Sequence, residues 1–140
     1  MGACYANGEG VSKDLAEAAK WYRKAADQSN PKAQHNLASC YINGDGVPKD
    51  PTEAVKWYRR AADQNNSDAQ SGLAFCYFNG DGVPKNAVEA YKWLILAAAQ
   101  ENQYAKKNLN AVESKLTGAE ISEAQKLARE FKPSSPSAPP

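Results

Sequence analysis

A 36-residue period runs through the chain and restricts what it can fold into more than any single residue does. Cys4, Cys40 and Cys76 fall in register, as do Trp21, Trp57 and Trp93. The loops Asn7-Gly-Glu-Gly-Val11, Asn43-Gly-Asp-Gly-Val47 and Asn79-Gly-Asp-Gly-Val83 coincide as well. A period between about 20 and 50 residues marks a solenoid, in which each unit buries its apolar face only by stacking on the next. The 140 residues hold almost four such units, enough for one continuous core and too few for two independent domains. Stacked units present an extended surface, so binding is the expected role and catalysis needs separate evidence.

Each unit carries two helical patterns. In the first, Ala33, Leu37, Cys40 and Tyr41 share one face at spacings of three and four, and Ala69, Leu73, Cys76 and Tyr77 repeat the stripe. Asn30 before Pro31 fits an N-cap with proline at the first helical position, and Gly44 and Gly80 stand where a left-handed residue closes the helix. The second helix opens on Asp50-Pro51-Thr52-Glu53, echoed by Asp14-x-x-Glu17 and Asn86-x-x-Glu89. Its expected buried positions are Ala54, Trp57, Tyr58, Ala61 and Ala62, with Ala18, Trp21, Tyr22, Ala25 and Ala26 one unit earlier. Paired alanines let backbones approach closely while the larger rings fill the wider part of the wedge.

Other chemistries find little footing. The formal net charge of +1 creates no field to draw in nucleic acid or an acidic membrane surface, and no apolar run approaches the roughly 18 residues of a bilayer span. No nucleic-acid or membrane partner is expected. Stacked helices lie about 9 to 10 Å apart, beyond the roughly 7 Å Cα separation of a disulfide, so the registered cysteines read as small buried hydrophobes. The Asn43-Gly-Asp45-Gly46 loop fails as a calcium site because Tyr41 and Thr52 would stand at its first and twelfth positions, where carboxylates belong. Its glycines read as positive-φ residues that let Val47 tuck under the helix pair. No metal or cofactor is expected. Glu17, Glu53 and Glu89 serve caps, and His35, the one histidine, has no evident nucleophile beside it, so catalytic residues are not assigned.

The pattern Ala69-x-x-x-Leu73-Ala-x-x-Tyr77-x-x-Gly80-x-Gly82-Val83, followed by Glu89-Ala90-x-x-Trp93-x-x-x-Ala97-Ala98, resembles the Sel-one-like repeat family, a branch of the tetratricopeptide superfamily. The resemblance covers about residues 1 to 110. It implies an all-α fold, a right-handed superhelical solenoid of antiparallel helix pairs whose first helices line a concave groove, and a non-enzymatic scaffold as the usual role. It fixes no compartment. A cysteine-rich group in the family is associated with β-lactams and carries paired cysteines in each repeat. This chain has one per repeat and so departs from that group's pattern; a β-lactam-directed hydrolase or small-ligand binder is the alternative function, beside a purely structural spacer within a larger protein. Ala38 and Ala74 replace the family's usual glycine, small for small.

The third second helix departs from its predecessors: Tyr58-Arg-Arg60 becomes Leu94-Ile95-Leu96, which needs a cover. Thr117-Gly-Ala-Glu120 reads as a capping box, and Ile121, Ala124, Leu127, Ala128 and Phe131 form an apolar stripe behind it, so this segment is expected to cap the array. The resulting division is a single solenoid over residues 1–131, comprising a partial repeat 1–30, repeats 31–66 and 67–102, and a partial repeat plus capping helix 103–131. Residues 132–140, rich in proline and serine, read as an extended tail. Because Met1 to Tyr5 align with the middle of a helix, the chain is expected to start partway through a repeat of a longer protein.

Positions roughly opposite the core stripe of each first helix define the candidate binding face. They carry His35, Ser39 and Ile42 in one unit, Ser71, Phe75 and Phe78 in the next, and Tyr104 and Lys107 on a first helix placed near 103–116. Apolar residues there resemble binding anchors for a peptide or protein partner. The chain is expected to be a monomer, with its proline-rich tail a candidate to enter the groove of a neighbouring molecule.

Overall fold

In the computed structural model, residues 8–134 are described, and side chains from Asp14 onward. Among them are seven α-helices and no strands: α1 (Gly8–Asp27), α2 (Pro31–Asn43), α3 (Pro51–Asp63), α4 (Ser67–Asn79), α5 (Ala87–Ala98), α6 (Gln103–Glu113) and α7 (Gly118–Glu130). The pairs α2/α3 and α4/α5 are the repeating hairpins, joined through α1 on α2, α3 on α4 and α5 on α6. No helix of the described residues is long and apolar enough to cross a membrane.

Local chemistry sets these boundaries at matching positions. The side chains of Asn30, Asn66 and Asn102 each accept from the backbone N–H three residues on, at 2.9, 2.9 and 3.0 Å, satisfying donors that a helix start leaves orphaned. Asp50 and Asn86 do the same for Glu53 and Glu89. Gly44 and Gly80 close the first helices at φ 73° and 77°. Gly46 is required twice over: its φ is 75°, and a Cβ there would lie 2.3 Å from the Leu15 carbonyl oxygen. Gly82 meets the Pro51 carbonyl oxygen in the same way, so each glycine loop docks on the backbone where the preceding unit's second-helix segment begins.

The first unit departs from its copies. Asn7 lies outside the described residues, but Gly8 to Val11 are helical and α1 runs unbroken through Asp14, which is therefore not a cap. The other loops carry Pro48 and Pro84, which cannot continue a helix, whereas this one has Ser12. Trp21 also differs from expectation: it is 56% exposed, while Trp57 and Trp93 are each 1% exposed. Trp57 lies under the Arg23 guanidinium and Trp93 meets Phe131 edge-on at 5.4 Å between ring centroids. Cys4 lies outside the described residues. Cys40 and Cys76 are buried and unpaired.

A ladder of glutamines binds the units. Buried Gln34 donates to the Ala26 carbonyl at 3.1 Å, and buried Gln70 to that of Ala62 at 3.2 Å, so each takes up an end carbonyl of a second helix. Gln64 then donates to Gln34 at 2.7 Å and Gln100 to Gln70 at 3.1 Å. Beside this ladder the second helices end on left-handed Ser29, Asn65 and Glu101, again at the repeat spacing.

The C-terminal segment closes the stack. Thr117 and Glu120 form the reciprocal capping box that opens α7. α7 packs on α5 rather than back on α6, with Ala124 and Ala128 buried and Ile121 and Phe131 set against the core. On α5 Trp93 meets Phe131, Leu94 is buried, and Ile95 and Leu96 are half-buried. Past α7, the Ser134 N–H donates to the Asp63 carbonyl at 2.6 Å and ties the start of the tail to the end of α3.

Candidate binding groove across the first helices

The first helices α2, α4 and α6 lie side by side, and a cavity of about 480 Å³ opens across them. Phe75 from α4 and Tyr104 from α6 line it, 42% and 43% exposed, both large apolar rings left in water. His35 from α2 forms the opposite wall, its ring 5.8 Å from that of Tyr58 and tilted by 46°.

The floor depends on a glycine that periodicity alone does not mark. Tyr58 belongs to α3, yet its ring reaches the groove and its hydroxyl lies 3.2 Å from Ser39 Oγ on α2. That course is open because Gly72 sits mid-way along α4: a Cβ there would come within 2.5 Å of Tyr58 Cε1. The equivalent positions in the neighbouring units are Asn36 and Asn108, so the substitution of asparagine by glycine at one register was the available signal.

One end of the groove is closed by polar bonds. Ser71 Oγ donates to Asn102 Oδ1 at 2.8 Å, and Asn102 Nδ2 donates to Asp68 Oδ1 at 3.0 Å. Asn102 also caps α6, so one side chain joins the first turns of two helices. Burial holds the His35 imidazole below its ordinary 6.5, against the opposing pull of Asp68, so the ring is neutral at pH 7. Burial also raises the Tyr58 and Tyr104 phenols. Among the described lining residues, Asp68 carries the one formal charge.

Of the residues named from the sequence, His35, Ser71, Phe75 and Tyr104 line this one cavity. Ser39 lies beneath, bonded to Tyr58. Ile42 and Phe78 are half-buried against the core, outside this cavity, and Lys107 is exposed on α6 without lining it. Sequence reasoning did not single out Tyr58, Gly72 or Asn102 for the groove. Both serines are bonded to partners other than His35, and no cluster of three or more metal-binding side chains occurs among the described residues. The arrangement offers shape, aromatic surface and a few fixed polar groups. A second cavity, of about 610 Å³, lies between α1 and α2, beside Trp21, Leu37, Tyr41 and Val47.

A family model for the Sel1 repeat matches residues 1–30, 31–66 and 67–102. The chain belongs to the Sel1 repeat family. Its fold is the all-α superhelical solenoid of antiparallel pairs with a capping helix. It is similar to c5321, a protective antigen of uropathogenic Escherichia coli strains that displays an SLR fold, with 35% identity over 86% of this chain and a TM-score of 0.84. It is also similar to a Sel1 repeat protein from Oxalobacter formigenes, with 40% identity over 67% of this chain and a TM-score of 0.63. The chain spans only 26% and 39% of the lengths of those proteins. A search of curated proteins returns no match. Sel1 repeats generally act as protein–protein interaction modules rather than as enzymes.

Proposed function

We propose that this Sel1 array is a non-enzymatic scaffold that holds an extended stretch of a protein partner across α2, α4 and α6. Residues 1–131 serve as one binding unit, with 132–140 as its tail. The observation that carries the reading is the pair Phe75 and Tyr104, two rings about two-fifths exposed on adjacent helices in one cavity. Aromatic side chains grouped in a desolvated concavity are the usual anchors of an interface, each worth about 2 kcal/mol or more on truncation. His35 and Tyr58 extend the apolar wall, and the Ser71–Asn102–Asp68 set supplies polar contacts at one end. Ile42 and Phe78 support the helices, and Lys107 stands at the rim as a charged contact.

The test is selection from a displayed library of random peptides with the wild-type chain and with Phe75→Ala/Tyr104→Ala, after melting curves show both folded. Wild type is expected to enrich a consensus that the double variant retains at least about 30-fold more weakly. Equal retention by both proteins refutes the groove.

A further inference from the structure

The tail has its own periodicity. Pro133, Pro136 and Pro139 stand three residues apart, and Pro140 follows. In a polyproline II helix, which has three residues per turn, side chains at such a spacing lie on one edge. Such an edge is the ligand that aromatic-lined grooves accept, because its conformation is formed in advance and little entropy is lost on docking. The segment from Ser134 to Pro140 carries no charged side chain, which suits a groove whose described walls hold one formal charge.

The anchoring of the tail limits where it can go. The bond from Ser134 to the Asp63 carbonyl places its origin at the end of α3, at the edge of the solenoid where α4 begins shortly afterwards at Ser67. Asp68, in the first turn of α4, and Tyr104, in the first turn of α6, form the groove's wall toward that same edge. Six residues follow Ser134. At about 3.1 Å each they extend roughly 19 Å, against helix spacings of about 8 to 10 Å. The tail is therefore long enough to cross the edge and enter.

We propose that residues 135–140 turn over the α3–α4 edge and lay their proline stripe between Phe75 and Tyr104 of the same molecule, where an incoming proline-rich partner must displace them. The proposal rests on the groove reading above and names both the partner class and a built-in competitor for it.

His35 provides the readout, since it is the only histidine of the chain and lines the groove. Its imidazole proton resonances are compared by NMR in the full chain and in a full-length Pro136→Ser/Pro139→Ser variant, each titrated with a synthetic Lys132–Pro140 peptide. The expected results are a shifted His35 resonance in the variant, its return toward the wild-type position as peptide is added, and peptide binding about fivefold weaker to wild type. The last follows because a tethered segment competes at roughly millimolar effective concentration. Introducing Phe75→Ala/Tyr104→Ala should abolish all three effects. A His35 resonance indifferent to both the proline substitutions and the peptide overturns the proposal. A wild-type resonance that moves on dilution also overturns it, since the tail then docks on a second copy. Neither result touches the groove reading, which falls only if the aromatic double variant selects peptides as wild type does.

Discussion

Replacing Gly72 by alanine should destabilise the protein, although the same change in an exposed helix interior stabilises by about 1 kcal/mol. The added Cβ would lie 2.5, 2.7 and 2.9 Å from Cε1, Cζ and Cδ1 of Tyr58, where ordinary contact begins at 3.4 Å. The ring must therefore retreat by about 0.9 Å, yet Tyr58 is only 6% exposed and its hydroxyl is paired with Ser39. Overpacking of this kind costs about 1 to 3 kcal/mol, and loss of the hydroxyl pair adds about 1. After the propensity gain, the net loss is about 2 kcal/mol. Leu94 occupies the position of Tyr58 in the next unit, so Tyr58→Leu is a shape this architecture already uses. In that background the obstruction is gone, and Gly72→Ala should now stabilise by about 1 kcal/mol. Urea unfolding followed by tryptophan fluorescence on the four members of the cycle gives the coupling directly. A stabilising Gly72→Ala in the wild-type background refutes the account of the groove floor.

Four further outcomes follow from the same geometry. Thr117→Ala removes the acceptor for the Glu120 N–H and should lower stability by about 1 kcal/mol in denaturant titration, with no loss taken as evidence against the capping box. Gln70→Ala removes one of two donors from the Ala62 carbonyl, which keeps the Asn65 N–H, and one of two acceptors from Gln100, which keeps Asn65 Oδ1, so the expected loss is about 1 kcal/mol by the same assay. Ending the chain after Leu116 removes α7 and Phe131 from α5 and Trp93; light scattering should show association, and a monodisperse fragment contradicts the capping role. Burial pushes the Cys76 thiol up to about 12 from 9.0, so the unfolded chain releases that proton first. Its contribution to stability is whole below pH 9 and is lost as pH rises from about 9 toward 12, a decline that Cys76→Ala should flatten in melts across that range.

Most of the architecture was legible because it is repeated. Asn30, Asp50 and Asn86 announce helix starts by their own chemistry, and the core stripes through Leu37 and Leu73 follow the helical period. The same reliance on repetition misled at the first unit, where Asp14 matches Asp50 by register but Ser12 lacks the ring that stops a helix at Pro48. The groove was legible only in part. Helical spacing finds Phe75 and Tyr104, whose exposure depends on their own helices. It does not find Tyr58, which reaches the groove from the other layer through the space left by Gly72, nor Asn102, whose bridge to Asp68 spans 34 residues. Ile42 and Phe78 met the positional criterion and are nevertheless half-buried, because spacing along one helix says nothing about how closely the next helix approaches.

The docking of α7 on α5 also gives the array a grammar. Ile95 and Leu96 suit a helix that another helix covers, while Arg59 and Arg60 at the corresponding places in α3 reach Tyr77 and the Trp57 ring. Exchanging the two 36-residue units would set guanidinium groups under α7 and leave two large aliphatic side chains, Ile95 and Leu96, in the places that Arg59 and Arg60 hold mid-stack. The units are alike in outline and yet cannot be shuffled; duplication of residues 31–66 lengthens such a molecule, whereas duplication of residues 67–102 strands an unfinished ending in its middle.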